Sequence, residues 1–566
     1  MEEKTDIIEK DKNKKNLKFR NIIFTILTFI LLLILSIAIT PLEMQNDTFY
    51  TIKCGQYIFE NGIFNLTEDP FSWLDLPYTF PHWLYDLGIF IVYLFFDFRG
   101  VYVSTIILAT ILGYTIYKNS HIISKNKVVS LGISLLSIYM LRDYITARAQ
   151  LVTFILFSLE LYTIEKLIQT KKKRYLINII IIPFLITQLH CAVFPMFFVL
   201  AMPYIGEYLL IKILDLNILD NLIKLYFKLL VKISKNEEKK QKYNEKIKKI
   251  DIIINNNNID RKKRRESPYK IIFTENRIIY LLIIVVLFAG FVGFLNPAGT
   301  GAYTYLVKTY QGNTTDSINE HLPLTLVESQ EFAIILVIFV VILIFTKSKL
   351  RMSDLFMIGG LLYLSFTSRR QISLFVIMCM PILAKLLVEI IDNIDKELLE
   401  KIYKFATNIT GAIIIILLMT IYGENAYKDI MYQSYVNEAE YPVQASNWIL
   451  ENLDLENLRL YNEYNYGSYL LMRGIPVFID SRCDLYTPEF NGNENLDVFS
   501  EALAIPDMNE DYNELFEKYD INYAIFYLND KVCQIIDTDS NYNKVYEDDN
   551  FVIYKRLKLN ESTKVN

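Results

Sequence analysis

Twelve blocks of apolar residues, most of them near the length of a membrane-spanning helix, constrain what this chain can fold into. Clusters of charged residues separate the blocks, which lie at about 21–40, 83–97, 100–117, 128–141, 149–168, 174–189, 191–214, 277–296, 332–346, 353–367, 371–391 and 404–422. A helix needs roughly 20 apolar residues to cross the hydrocarbon core of a bilayer. Hydrophobic residues make up 52% of the 566 residues although 21% are charged. This pattern predicts a polytopic α-helical protein of the cell membrane.

The distribution of lysine and arginine indicates which blocks cross the bilayer. If all twelve crossed, the basic segments 118–127, 171–174 and 215–276 would lie outside, against the positive-inside rule. One change moves them all to the cytoplasm: the short block at 83–97, which contains Asp86, lies in the interface instead of crossing. We therefore predict about eleven transmembrane helices and an interfacial helix at 82–98. The N-terminus is then cytoplasmic and the C-terminus extracytoplasmic.

This topology divides the chain into three parts. Residues 1–20 form a basic cytoplasmic N-terminus before an uncleaved anchor. Residues 21–422 form the transmembrane domain, with a first outer loop at 41–99 and a cytoplasmic insertion at 215–276. The insertion is rich in mixed charge and asparagine and is predicted to be a helical hairpin or a disordered loop. Residues 423–566 are predicted to form an extracytoplasmic α/β domain, because short strands and helices alternate from residue 437. Within it, "VFIDSR" and "NYAIFY" are predicted strands, and "KVYEDDNFVIYKR" is a predicted closing hairpin.

Several common function classes have no support in the sequence. The five cysteines have no spacing typical of a disulfide framework or a metal site. No phosphate-binding loop or dinucleotide fingerprint is present in the sequence, so we do not expect a protein driven by nucleotide hydrolysis. We also expect no nucleic-acid partner.

Polar residues gather on the predicted outer face. A carboxylate directly after the first span, a loop with acidic, histidine and aromatic residues, and arginines placed against the usual charge bias suggest a site for a lipid-linked phosphate. The predicted catalytic residues are Asp47, Asp69 and His82. The predicted substrate-binding residues are Arg142, Arg148, His190, Glu320, Arg369 and Arg370. Of the adjacent pair 369 and 370, only one should face the site, because neighbouring helical residues point about 100° apart.

The segment "GQYIFENGIFNLTEDPFSWLDLPYTFPHWLYDLG" after Asp47 resembles the first outer loop of GT-C-type membrane glycosyltransferases, relatives of the protein mannosyltransferases and the aminoarabinose transferase. The resemblance continues at "RAQLVTFILF", "QLHCAVFP", "FLNPAGTGAY", "SRRQISLFVIMCMP" and "YNEYNYGSYLLMRGIPVFIDSRCDLY". It implies transfer of a sugar from a polyprenyl-phosphate donor to a glycan, lipid or protein acceptor, with Asp47 as the base or the group that orients the acceptor. The paired acidic motif that holds a metal in oligosaccharyltransferases is not evident. We predict no metal ligands and no cofactor, although a divalent metal stays open.

Two other functions remain open. A polymerase or ligase of lipid-linked glycans would act on the same face, but such proteins usually place their large outer loop late in the chain. A transporter or a non-enzymatic scaffold is the alternative without catalysis, although no internal repeat typical of transporters is evident.

Overall fold

The computed structural model describes residues 2–557 except 64–67, 216, 235, 265–269, 275, 313, 315–317, 326, 328 and 348. The helices of the first part of the chain are α1 (Glu2–Ile39), α2 (Asn46–Asn61), α3 (Trp83–Ser124), α4 (Lys127–Met140), α5 (Ala149–Thr170), α6 (Tyr175–Leu189), α7 (Phe194–Asp215), α8 (Ile218–Ile233) and α9 (Glu237–Arg264). They are followed by α10 (Ile278–Val292), α11 (Gly301–Gln311), α12 (Gln330–Phe345), α13 (Met352–Thr367), α14 (Ile372–Ile394), α15 (Leu398–Ala406) and α16 (Ile409–Met431). A two-residue parallel ladder joins β1 (Ile271–Ile272) to β2 (Leu350–Arg351).

Apolar helices form the main body of the molecule. Five are long and apolar enough to cross a membrane: Lys14–Ile39, Trp83–Ser124, Cys191–Ile213, Arg369–Ile394 and Ile409–Lys428. Five shorter apolar helices lie between them. With α5 they occupy the positions of the eleven predicted crossings, so the helical membrane architecture is confirmed, while the number of crossings stays a prediction.

The predicted interfacial helix at 82–98 is the first half of α3. The helix is interrupted at Asp97, whose φ of 56° and ψ of −162° are not helical. A non-glycine residue with positive φ is uncommon, so this is a defined break between two helical halves. The structure therefore separates residues 83–96 from 98–124, at the place where the charge pattern requires a change of direction.

The predicted insertion is a helical hairpin over the residues that the structure describes. Helices α8 and α9 pack side by side, with Asn217 bonded to Asn258 and Asp220 to Asn257. Residues 265–269 lie outside the described part of the chain.

The C-terminal part is a small α/β unit. Its helices are α17 (Val443–Asn452), α18 (Tyr464–Met472), α19 (Pro488–Asn491), α20 (Val498–Ala504), α21 (Tyr512–Lys518) and α22 (Lys531–Ile536). Its strands are β3 (Leu460–Tyr461), β4 (Tyr523–Tyr527), β5 (Tyr542–Glu547) and β6 (Phe551–Arg556), in the sheet order β3-β4-β6-β5. Strand β4 is parallel to β3 and antiparallel to β6, and β5 and β6 form the predicted closing hairpin.

The structure differs from the sequence-based expectation for this unit at two places. Helix α16 runs to Met431, so the α/β unit begins later than residue 423. The segment "VFIDSR" forms no regular strand, and only Val477 makes a bridge, to Ser72 of the first loop. The side chain of Asn462 accepts from the Phe478 amide and donates to the Ile479 carbonyl. These bonds satisfy backbone groups that a strand partner would otherwise satisfy.

The first loop and the α/β unit share their hydrophobic cores. Phe49 of α2 packs edge-on against Tyr441 and Tyr469, and Trp73 stacks on Phe478. Aromatic pairs of this kind add stability beyond the apolar area they bury. The first loop thus packs between the apolar helices and the C-terminal α/β unit.

Candidate active site

A cavity of about 1030 Å³ opens where the first loop, the ends of several apolar helices and the α/β unit meet. Its polar or ionisable lining comes from all of these parts: Asp47, Tyr50, His82, Arg148, Gln150, His190, Lys308, Glu320, His321, Arg370, Arg482, Cys483 and Asp484. Its apolar lining includes Phe154, Phe157 and Met196, which belong to α5 and α7. A cavity with an apolar wall and a few converging charges is typical of a ligand site.

Arg148 joins two carboxylates at the centre of this cavity. Its Nη2 lies 2.5 Å from Oδ2 of Asp47, and its Nη1 lies 2.8 Å from Oε1 of Glu320. Asp47 stands in the first turn of α2, where the helix dipole favours a negative charge. Burial lowers the pKa of Arg148, but the charges of Asp47 and Glu320 outweigh it and raise this pKa. Burial tends to raise the pKa of Glu320, yet Arg148 and Arg370 together hold it below its usual value.

The same geometry tests whether a divalent metal fits here. Among the described residues, no three His, Cys, Asp or Glu side chains come together as they would around a metal ion. The two carboxylates that face each other already have the Arg148 guanidinium between them. A cation between Asp47 and Glu320 would have to displace this arginine, so the donor set does not fit a metal.

Arg370 supplies a second positive charge to the cavity. It lies in the turn Arg369–Gln371 before α14, and its amide donates to the Glu320 carbonyl. Over the described part of the chain, its guanidinium makes no hydrogen bond or ion pair to a protein group. Arg370 lines the cavity and Arg369 does not. This leaves one guanidinium directed at the space that a ligand would fill.

His82 belongs to a chain of three polar groups at the start of α3. Its Nδ1 lies 2.5 Å from the Asp86 carboxylate, and its Nε2 lies 2.8 Å from the Tyr50 hydroxyl. The carboxylate fixes the ring orientation and the tautomer, as in other His–carboxylate pairs. These contacts link a side chain that lines the cavity to the buried Asp86 carboxylate.

His190, between α6 and α7, lies next to these three hydrogen-bonded groups. The Thr153 hydroxyl is 2.9 Å from its Nδ1, and its ring centroid is 6.1 Å from that of His82. Burial and the neighbouring positive groups lower the pKa of His190, so the ring is neutral. Burial and the nearby Arg370 likewise lower the pKa of His321 to about 4. Both histidines therefore offer hydrogen bonds, not charge, at neutral pH.

Asp69 lies close to the cavity but does not line it. Its carboxylate receives both Nη groups of Arg482, at 2.5 and 3.0 Å, and Arg482 also contacts Asp480 at 2.6 Å. All three groups are buried. Asp69 therefore holds Arg482 in place. Because Asp69 does not line the cavity, it can influence a reaction there only through Arg482.

Arg142, expected to bind substrate, lies outside the cavity. It forms a two-pronged pair with Glu331, at 2.7 and 3.1 Å, and Asp143 lies 3.8 Å away. Of the nine predicted site residues, six line the cavity: Asp47, His82, Arg148, His190, Glu320 and Arg370.

Sequence reasoning gave no site role to two acidic residues. Asp86 was assigned to an apolar block. Asp484 lines the cavity and accepts hydrogen bonds from Thr309 and Thr314, both at 3.2 Å. Burial raises the pKa of Asp484. The only available signal for Asp484 was its place after "FIDSR", in a segment that carries the family resemblance.

Comparisons with known proteins identify solved structures that have a similar fold. No family model matches the sequence, and no curated protein matches it significantly. The fold is similar to three solved structures of the oligosaccharyltransferase AglB from Archaeoglobus fulgidus. The structure in complex with an inhibitory peptide and a dolichol-phosphate has a TM-score of 0.52 and 13% identity, and the match covers 91% of this chain and 70% of that one.

The other two structures agree with this match. The one tethered to an acceptor peptide containing the NVT sequon has a TM-score of 0.51 and 13% identity, with 91% and 70% coverage. The apo form has a TM-score of 0.52 and 13% identity, with 90% and 69% coverage. These similarities confirm the expected GT-C-like fold. The chain thus shares its fold with an archaeal oligosaccharyltransferase, a membrane glycosyltransferase of the GT-C type.

Proposed function

We propose that this protein is a membrane glycosyltransferase that moves a sugar from a polyprenyl-phosphate donor to an acceptor in the cavity. The observation that carries the proposal is the pairing of an oriented carboxylate with an available guanidinium in one cavity. Asp47 is held by Arg148, and Arg370 faces the same space. The lipid-linked donor agrees with the dolichol-phosphate in the neighbouring structure.

The reaction needs one bond to form and one to break. An acceptor oxygen bonds to the anomeric carbon of the sugar, and the bond from that carbon to the phosphate oxygen breaks with its electron pair on the phosphate. Asp47 receives the acceptor proton through Oδ1, which makes no hydrogen bond to any described residue. The products are the glycosylated acceptor and the polyprenyl phosphate, and the proton passes to solvent.

Positive charge is needed where the phosphate gains negative charge. A phosphodiester donor carries one negative charge and the leaving phosphate monoester carries two. A guanidinium already in place stabilises that extra charge without reorganisation. Among the arginines that line the cavity, Arg370 is the candidate because Arg148 and Arg482 are both engaged by carboxylates.

Arg148 orients the base without a metal ion. Its fork fixes the Asp47 carboxylate and ties it to Glu320. Two carboxylates this close together would repel each other without a cation between them. We propose that this guanidinium serves as the permanent counter-ion of the site.

Purified protein in lipid nanodiscs, supplied with a panel of radiolabelled polyprenyl-phosphate sugars and membrane-extract acceptors, tests the function. We expect transfer from at least one donor, and its loss in Asp47→Asn. The matched control is Asp143→Asn, because Asp143 is also an outer-face carboxylate near an arginine but does not line the cavity. Donor turnover that survives in Asp47→Asn contradicts the proposal. Repeated addition of whole glycan units would instead support a polymerase or ligase.

A further inference from the structure

Helix α8 presents an apolar stripe that no other described part of the chain covers. The stripe consists of Leu222, Leu225, Tyr226, Leu229 and Ile233, whose side chains are between 51% and 74% exposed. Their spacing of three and four residues puts them on one face of the helix, within an arc of about 100°. A soluble hairpin would leave such a face in water at considerable cost.

The opposite face of α8 is the one that packs against α9. Lys224 is paired with Asp251, and Phe227 stacks on Tyr243 with ring centroids 6.1 Å apart. Helix α9 therefore occupies the back of α8. The stripe points away from the hairpin and needs a different partner.

The place of α8 in the chain indicates which partner this is. Helix α8 begins at Ile218, three residues after α7 ends at Asp215. Helix α7 makes up most of Cys191–Ile213, one of the segments long enough to cross the membrane. A helix that starts this soon after a crossing starts at the bilayer surface.

The charges beside the stripe fit the same partner. Lys228 and Lys232 are exposed and lie along one edge of the apolar face. Long lysine side chains at such an edge can reach upward to lipid headgroups while their stems cover apolar surface. Interfacial helices combine these two features.

We propose that α8 is an interfacial helix that binds the cytoplasmic leaflet, with its apolar stripe at the acyl-chain boundary and Lys228 and Lys232 at anionic phospholipid headgroups. The ligand is the bilayer surface itself. In this position the hairpin is a lipid-binding element of the membrane domain, independent of the outer cavity and of the reaction proposed for it.

A nitroxide label on full-length protein in nanodiscs of phosphatidylglycerol and phosphatidylcholine tests this placement. Leu229→Cys carries the label on the stripe, and Asn244→Cys carries it on the exposed side of α9. Wild-type protein treated with the same reagent gives the background, because four of its five cysteines are buried. Circular dichroism checks that both variants keep their helix content.

We expect the label at 229 to collide readily with oxygen and poorly with a water-soluble nickel chelate, and the label at 244 to do the reverse. A label at 229 that is open to the chelate overturns the proposal. A label shielded from both reagents shows a protein partner or a second copy, and also overturns it.

The lysines provide a second measurement. One lysine near an anionic surface contributes about 1 kcal/mol, or roughly a fivefold change in an equilibrium. Lys228→Gln with Lys232→Gln should therefore lower the ratio of docked to undocked α8 by about 25-fold in anionic nanodiscs, and far less in phosphatidylcholine alone. An equal effect in both lipids contradicts the headgroup contact.

Discussion

Arg148 contacts two carboxylates that are far apart in the sequence. Asp47 comes from the first loop, and Glu320 from the segment between α11 and α12. Each acid alone would be an ordinary charge near a helix end. Joined by one guanidinium inside a cavity, they form a fixed arrangement in which Oδ1 of Asp47 accepts no hydrogen bond from a described residue.

The first prediction at this scale concerns the base. Asp47→Asn keeps the size of the side chain but cannot accept a proton, and a general base contributes on the order of 10²–10⁴-fold in rate. We expect turnover to fall within this range while folding and membrane insertion are unchanged. Initial rates with a saturating donor measure this loss, with Asp143→Asn as the control that should keep its rate.

The second concerns metal dependence. Because Arg148 occupies the position between Asp47 and Glu320, treatment with EDTA should leave the transfer rate unchanged. Electron paramagnetic resonance should detect no tightly bound Mn²⁺ in the wild type. Specific Mn²⁺ binding that disappears in Asp47→Asn would show that the arginine is not the resident cation.

Arg148→Gln tests the same ion pair by removing the guanidinium instead of a carboxylate. The variant leaves the two carboxylates without their counter-ion, so we expect turnover to fall at least as far as in Asp47→Asn. Arg142→Gln is the matched control, since Arg142 pairs with Glu331 outside the cavity.

The third prediction distinguishes the roles of the adjacent residues Arg369 and Arg370. A hydrogen bond to a charged group contributes about 1.5–3 kcal/mol, or roughly 10- to 150-fold. Arg370→Ala should weaken donor binding by about this factor and lower turnover further, because the phosphate charge grows during the reaction. Arg369→Ala should change donor binding little. Equal losses in the two variants would contradict the assignment of Arg370 to the phosphate.

At the scale of elements, the α/β unit contains a pair of acids that links two of its helices. Glu463, before α18, and Asp530, before α22, both accept from the Tyr527 amide, at 3.4 and 3.0 Å. Burial raises the pKa of Glu463 well above its usual value, and the charge of Asp530 raises it further. Burial raises the pKa of Asp530 as well, so both carboxyl groups of the pair favour the protonated form more than a solvated acid does.

The fourth prediction is a dependence of stability on pH. With a folded pKa above the usual 4.5, Glu463 binds more protons in the folded state than in the unfolded state. The contribution is therefore fully present below that usual value and is lost as the pH rises through the folded pKa. Glu463→Gln keeps a hydrogen bond without the titration and should flatten this decline.

Thermal unfolding of the full chain in nanodiscs, followed between about pH 5 and pH 8, measures the slope. Glu514→Gln is the control, since Glu514 lies exposed on α21. A wild-type midpoint that rises with pH over this range would contradict the assignment.

Local sequence patterns correctly predicted helices and strands that need no specific partner, or whose partners are close in the sequence. The apolar blocks became helices, and the strand at 523–527 and the hairpin after it were confirmed. The strand expected at "VFIDSR" was wrong because Asn462, more than a dozen residues earlier, binds its backbone. Asp484 was missed as a site residue for the same physical reason: its partners Thr309 and Thr314 are about 170 positions away. Contacts of this kind have no trace in local periodicity.

At the scale of the whole molecule, the side of the bilayer on which every segment after residue 98 lies depends on the break in α3. If residues 83–96 lie in the interface, the cavity faces the outer side and the α8–α9 hairpin faces the cytoplasm. If the same residues crossed, the hairpin would face the outer side, and Arg148 would lie across the bilayer from Asp47, which it contacts in the structure.

The fifth prediction tests that orientation in intact cells. Lys172→Cys lies in the turn between α5 and α6, and Glu514→Cys lies on the α/β unit. A maleimide that does not cross membranes should label the second at once and the first only after permeabilisation. Labelling of residue 172 in intact cells would show that residues 83–96 cross the bilayer.

Arg482 joins the start of the chain to its end, because it grips Asp69 across an interval of 413 residues. A ribosome making this protein completes the first loop long before it reaches residue 482. Until then Asp69 lacks its arginine, and the first-loop aromatic residues lack the C-terminal side chains on which they pack. The cavity is therefore complete only after residue 482 has been added, so a nascent chain cannot hold a ligand between these groups before that point.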